Sequence, residues 1–323
     1  MRKFTGGALA IAGLLALTAC GGNVQPAGGD GTDGEAVTIK VGVIPVATTT
    51  SLRLGVEKGF FEDEGLNVEL QEGQSGSAIT ASVLSGEAQI GFASAVPLLQ
   101  AQLRGVPVQI VGPGGSTANH KESVMVASGS AIQDIEDLEG KTVGVVALGA
   151  IDELATRTAV REGGGDDSKL KLVSIPFADM PSSLEKGIVD AVVVLDPFYT
   201  ALVGKGARAI IPEPMQDMLG SDGMTSAYFA SKDYLGKNAD VLDRFHRALV
   251  KSNKYANEHP DEVVEMLPKF TNITSEVAGS LTPAKYSTTV NMDSLERMSK
   301  LMVEFSFVDK APSPDALVAR LAR

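Results

Sequence analysis

TIKVGVIPVATTTSLRLGVEKGFFEDEGLNVEL, residues 38–70, sets the pattern for the whole chain. Its first run, 38–44, is rich in β-branched residues and closed by Pro45, which reads as a strand because such side chains suit a pleated surface and proline has no N–H for a ladder. Residues 51–64 set Leu52, Leu54, Val56, Phe60 and Phe61 among charges, the pattern of a helix that breaks near Gly59. Val68-Glu69-Leu70 alternates as a strand again. Working outward, a helix at 78–84 stops at Gly86, a strand follows at 89–92, a helix at 95–103 ends at Gly105, and a strand returns at 106–111. A second series begins with a strand at 142–146 and a helix at 152–161. It passes the loop Gly163-Gly164-Gly165-Asp166-Asp167 and continues through 170–175, 182–186, 191–195, 197–203 and 207–211. Repeated strand–helix–strand units with short turns predict an α/β protein of two lobes, each a mostly parallel sheet flanked by helices. Residues 227–323 differ, since helical patterns dominate. In 239–257 the apolar stripe of Leu242, Phe245, Leu249, Tyr255 and Ala256 fits one helix face, expected to pack on the first lobe.

Composition agrees. Trp is absent and only 5% of residues are aromatic, while 44% are hydrophobic, which suits buried aliphatic strands better than an aromatic-rich sandwich. The amino terminus predicts an export signal over residues 1–19: Arg2 and Lys3 carry charge, 6–17 is uncharged and mostly apolar, and small residues follow. That apolar run is much shorter than the roughly 20 residues a membrane helix needs. Leu17-Thr18-Ala19-Cys20 resembles the bacterial lipobox, which implies cleavage before Cys20 and acylation of its thiol. The alternative is a buried free thiol. Cys20 is the only cysteine, so no intramolecular disulfide is possible. Two acyl chains would give stable anchoring to the cell membrane, on the extracytoplasmic face, and palmitate is one expected modification. Residues 20–36, rich in Gly and poor in apolar side chains, read as a flexible tether. Loss of Arg2 and Lys3 leaves 26 basic against 40 acidic residues, a net charge of −14, which excludes a nucleic-acid footprint.

Several landmarks then point to one family. Lys58-Gly59-Phe60-Phe61-Glu62-Asp63-Glu64-Gly65-Leu66-Asn67-Val68 resembles a segment of the nitrate/sulfonate/taurine and thiamine-precursor solute-binding proteins of ABC transporters. Leu84-Ser85-Gly86-Glu87-Ala88-Gln89-Ile90-Gly91, Asp137-Leu138-Glu139-Gly140-Lys141-Thr142-Val143-Gly144, and Lys186-Gly187-Ile188-Val189-Asp190-Ala191 with Asp196-Pro197-Phe198 are similar to later landmarks, in order. Val194-Leu195-Asp196-Pro197 departs from the family by lacking an aromatic residue and a Glu often found there. The resemblance implies a periplasmic-binding-protein fold of type II, with solute held between lobes that close on it. On that plan 37–125 and 226–323 form lobe I and 126–225 lobe II. The crossings are expected near 122–128 and 224–230.

In open parallel sheets, ligands lie beyond the carboxyl ends of strands, where helix N-termini offer free N–H groups. Reading each strand end gives the candidate ligand-binding residues Thr48, Thr49, Thr50, Ser75, Ser77 and Ser94 in lobe I. Lobe II adds Gly149, Ala150, Phe177 and Asp196, and Tyr228 lies by the return crossing. Thr50, Ser77 and Ser94 serve equally as helix N-caps, and capping does not preclude ligand contact. Asp196 before Pro197 fits an N-cap as well as a cleft carboxylate, and a cleft carboxylate would favour a solute with N–H donors. Tyr228 fits a packed hinge aromatic as well as a ligand cover.

No catalytic residue, metal site or cofactor motif is evident. Gly140-Lys141-Thr142 lacks the first glycine of a phosphate loop, having Ile135 there, and enters a strand. His120, His246 and His259 are scattered. His246 reads as part of a solvated helix face, and His120 is a loop residue able to enter the cleft. The expectation is a non-enzymatic, monomeric solute-binding lipoprotein that delivers a small solute to an ABC permease with a cytoplasmic ATPase. A sulfonate-like or other small oxyanion comes first, suiting hydroxyl-rich strand ends without Lys or Arg. The alternatives are a pyrimidine or related heterocycle, a surface sensor, or an enzyme on the same scaffold.

Overall fold

The computed structural model describes residues 36–323 apart from His120. The readings of residues 1–35, including the signal, the tether and Cys20, lie outside the described residues, as does that of His120. Among the described residues ten strands carry the architecture: β1 Val37–Val43, β2 Leu66–Glu72, β3 Ile90–Ser94, β4 Val108–Pro113, β5 Glu122–Val126, β6 Thr142–Val145, β7 Lys171–Ser174, β8 Ala191–Leu195, β9 Arg208–Pro212 and β10 Ser226–Ser231. They form two five-stranded sheets, ordered β2-β1-β3-β10-β4 and β7-β6-β8-β5-β9.

The alternation read from the sequence thus yields the two-lobed α/β fold. In lobe I, β1 pairs in parallel with β2 from Val37 opposite Leu66 to Val43 opposite Glu72. In lobe II, β6 pairs in parallel with β7 and β8. Each sheet also holds one reversed strand, β10 against β3 and β4, and β5 against β8 and β9. These two are the strands by which the chain changes lobe.

They correct the expected crossings. β5 lies wholly in the second sheet, so the outward crossing is residues 114–121 and Glu122 to Met125 belong to lobe II. The return crossing, residues 220–225, precedes β10. The two crossings run side by side and bond to each other, with Thr117 N donating to Gly223 O at 2.8 Å and Thr225 N to Gly115 O at 3.0 Å. β10 also corrects the helical reading of the region beginning at 227. Ser226-Ala227-Tyr228-Phe229-Ala230-Ser231 is poor in β-branched residues, and its position between two strands makes it extended.

The long helix Ala239–Glu258 buries Leu242, Phe245, Leu249 and Ala256 as expected, and adds Val241 and Ala248. All of these but Ala256 lie in one lobe I cluster with Ile39, Val41, Phe61 and Tyr228, and Ala256 packs with Leu54, Val263 and Met266. Each large apolar side chain buried there contributes about 1.5–3 kcal/mol. His246 departs from its expected solvated position: it is partly buried, with Nδ1 3.0 Å from Val111 O. No described helix is long and apolar enough to cross a membrane.

Candidate functional site

A cavity of about 440 Å³ lies between the lobes, and its walls are the loops at strand carboxyl ends. On the lobe I side, β1 leads to Thr48, β2 to Ser75 and Ser77, and β3 ends at Ser94; all four line the cavity. Ser75 and Ser77 open the helix Gly76–Ser85, and Ser94 immediately precedes the helix Ala95–Leu103. Neither helix has an acidic residue in its first turn, so both positive dipole ends remain uncompensated by their own side chains. On the lobe II side, β6 leads to Gly149 and Ala150, and β7 to Phe177, and these line the cavity too. Gly149 sits at φ 75°, and a Cβ there would stand 3.2 Å from the Gln100 amide of lobe I, so the lobes approach closely at this point.

The hydroxyls have different duties. Ser75 caps its helix by accepting from Ala78 N at 3.3 Å, and its Oγ lies 2.9 Å from Ser77 Oγ. Ser94 makes no capping bond, and its Oγ is buried without a hydrogen-bond partner. Phe177 stacks on Phe198 with ring centroids 6.0 Å apart and planes 12° from parallel.

Four expected residues lie elsewhere. Thr49 Oγ1 donates to Ile44 O and Val46 O, both at 2.9 Å, and so pins the turn after β1. Thr50 is wholly buried beside the Tyr286 hydroxyl. A helix begins at once after this turn, which directs both side chains inward. Asp196 borders a separate crevice with Asn119 and Lys121, and its Oδ1 accepts from Thr200 N at 3.1 Å and Thr200 Oγ1 at 2.7 Å. It turns back to its own helix, and burial pushes its pKa up to about 6 despite those bonds and Lys121. Tyr228 is a core residue between Phe92 and Phe245, with ring centroids 5.2 and 5.9 Å away, and burial raises its hydroxyl well above the ordinary range. It lies two residues inside β10, where strands flank it on both sides.

Sequence reasoning missed Asp152, Gln100, Arg104 and Ser226, all of which line the cavity. The strand-end loops hold no Lys or Arg, as read, but Arg104, at the carboxyl end of the helix Ala95–Leu103, is an exposed cation on the cavity wall. Asp152 is only 2% exposed. Its Oδ2 accepts from Val146 N at 2.6 Å, while Oδ1 has no hydrogen-bond partner. Burial pushes its pKa up to about 7; backbone bonds oppose this, and the neighbouring Glu153 adds to it. No sequence signal separates Asp152 from an ordinary acid in a helix's first turn. Glu122, also buried, accepts from Met215 N and feels the charge of Asp152, and burial raises it well above the carboxylate range. Among the described residues no cluster of His, Cys, Asp and Glu could hold a metal ion.

The profile of the family described as NMT1/THI5 like matches residues 47–263. The chain is 26% identical to the formylaminopyrimidine-binding protein of Halalkalibacterium halodurans, over 72% of this chain and 70% of that one. It is 23% identical to a putative aliphatic sulfonates-binding protein of Bacillus subtilis, over 93% and 89% respectively. Among solved structures, the alkanesulfonate-binding protein of Xanthomonas axonopodis pv. citri, bound to MOPS, superposes with a TM-score of 0.73 at 18% identity, covering 89% of this chain and 98% of that one.

Proposed function

The chain belongs to the NMT1/THI5-like family, and from that premise we propose that it is the extracytoplasmic solute-binding component of an ABC importer. The cavity walled by strand ends of both lobes carries this reading. A solute touching both walls favours the closed arrangement by its differential contacts, which is how capture would be signalled to a permease. No reaction is required. Among the described residues, the titratable groups on the cavity wall are Asp152 and Arg104. In this reading Cys20 is the lipid attachment point, the protein is a monomer on the membrane's outer face, and a permease with its ATPase receives the solute.

The favoured solute is a sulfonate-like organic anion. Two helix N-termini without acids face the cavity, and their N–H groups suit an acidic head. The volume of about 440 Å³ lies within the range of sites for organic ligands, and a bare inorganic oxyanion would leave most of it empty. Its mostly apolar lining surface suits an apolar body. Relatives named for aliphatic sulfonates support the same class. The stacked Phe177–Phe198 pair favours a second reading, a pyrimidine or similar heterocycle, which a relative's name also supports.

A thermal-shift screen against alkyl and aryl sulfonates, nitrate and pyrimidines tests both. A ligand at about a hundred times its Kd stabilises the folded state by about 2.7 kcal/mol. We expect organic sulfonates to raise the melting temperature and Ser77→Trp, which fills the mouth, to abolish the rise. A rise with pyrimidines alone would select the second reading. No rise with any compound at millimolar concentration would overturn both.

A further inference from the structure

Within the cavity the two walls differ in polarity, and the difference rests on one side chain. The lobe I wall offers helix N-termini and the partnerless Ser94 Oγ, groups that favour an acceptor or anion. The lobe II wall offers Asp152, 98% buried, with Oδ2 committed to Val146 N, the N–H groups of Asp152 and Glu153 beside the carboxylate, and Oδ1 left without a well-formed hydrogen bond. The N-terminus of its helix is already served by acids, since Glu153 Oε2 takes Gly149 N at 2.8 Å. A buried carboxylate oxygen without a partner is costly, and a solute donor that met it would remove that cost.

We propose that Asp152 is a specificity-determining residue that accepts a hydrogen bond from an amino, ammonium or ring N–H group of the solute, so that the cleft selects organic molecules with an acidic or acceptor end for lobe I and an N–H donor for lobe II. The proposal rests on the reading of the cavity as the solute site. Substitution by Asn gives a directional test. The Asn carbonyl oxygen is needed by Val146 N–H, so the amide NH₂ takes the place of Oδ1 and opposes a donor.

The test is calorimetric titration of the full chain at about pH 8 with matched pairs: homotaurine against 1-propanesulfonate, and sulfanilate against benzenesulfonate. A hydrogen bond to a charged group corresponds to about ten- to a hundredfold in affinity. We expect the wild type to prefer the amino member by at least about tenfold. In Asp152→Asn and Asp152→Ala the preference should vanish, because the amino member loses the affinity that the carboxylate gives it. An equal or reversed preference in the wild type overturns the proposal, as does a preference that survives both substitutions, or an absence of binding by every compound. Ser77→Trp separates this failure from that of the underlying reading. Binding that persists in Ser77→Trp places the solute outside the cleft and overturns both, whereas binding lost there but indifferent to the amino group overturns the role of Asp152 alone.

Discussion

At the scale of single residues, Asp152 gives the solute-free protein a pH dependence whose sign follows from its burial. Its carboxyl titrates at about 7 in the folded chain, against about 4 when unfolded. Between those values the folded state holds the extra proton, so stability is higher at about pH 5 and falls as pH rises through 7. Glu122 and Asp196, also raised by burial, slope the same way. The half-exposed carboxyls Glu139, Asp166 and Glu262, lowered by their hydrogen-bond partners, slope the opposite way under solvent screening. Comparing Asp152→Asn with the wild type isolates the one group. Between about pH 5 and pH 8 the variant should gain stability relative to the wild type, by up to about 3 kcal/mol in melting curves taken across that range. Superimposable curves would mean that Asp152 does not carry the buried charge.

Elements meet most tightly where the helix Thr50–Glu57 crosses Ala239–Glu258 at Gly55. A Cβ on Gly55 would lie 1.8 Å from Ser252 Oγ and 2.7 Å from Ser252 Cβ, with the Phe61 ring at 3.0 Å. Ser252 is fully buried and donates to Ala248 O at 2.7 Å, so it has no open space to enter. Gly55→Ala should therefore lower stability by about 1–3 kcal/mol through overpacking. Ser252→Gly placed in the same chain should recover much of it, and denaturant titration of the two single variants and the double variant measures the coupling. Additive losses would show that the helices can separate without cost. The glycine was visible in the sequence, but its partner stands 197 positions away in a helix whose register only packing sets.

At the scale of the whole molecule, one apolar cluster passes from lobe to lobe. Ile151, Leu154, Ala155, Met215 and Met218 of lobe II lie in the same cluster as Leu98, Leu295 and Met298 of lobe I. Arg161 adds a contact across the same seam, 3.8 Å over the Phe305 ring and 3.5 Å from Glu304. The lobes should therefore melt together in a single calorimetric transition. Leu154→Ala, at a fully buried position, should lower that transition by about 2–5 kcal/mol. Two resolved transitions in the wild type would show that the seam does not join the lobes.

The division between sequence and tertiary structure follows the range of the interactions concerned. Strand and helix identity over most of 38–211 was legible because β-branched runs, helical periodicity and glycine stops act within a few residues. So were the cavity positions Thr48, Ser75, Ser77, Ser94, Gly149, Ala150 and Phe177, since the carboxyl-end rule needs only the strand ends. The tertiary structure decided what depends on distant partners. It made Ser226–Ser231 a strand by inserting it between β3 and β4, and it drew β5 into the second sheet. Thr50 and Tyr228 went to the core, and Asp196 to its own helix. Asp152 it buried on the cavity wall with one oxygen unpaired. A helix acid looks the same in sequence whether water or a second lobe covers it, because its desolvation is set by chains that come from elsewhere in the fold.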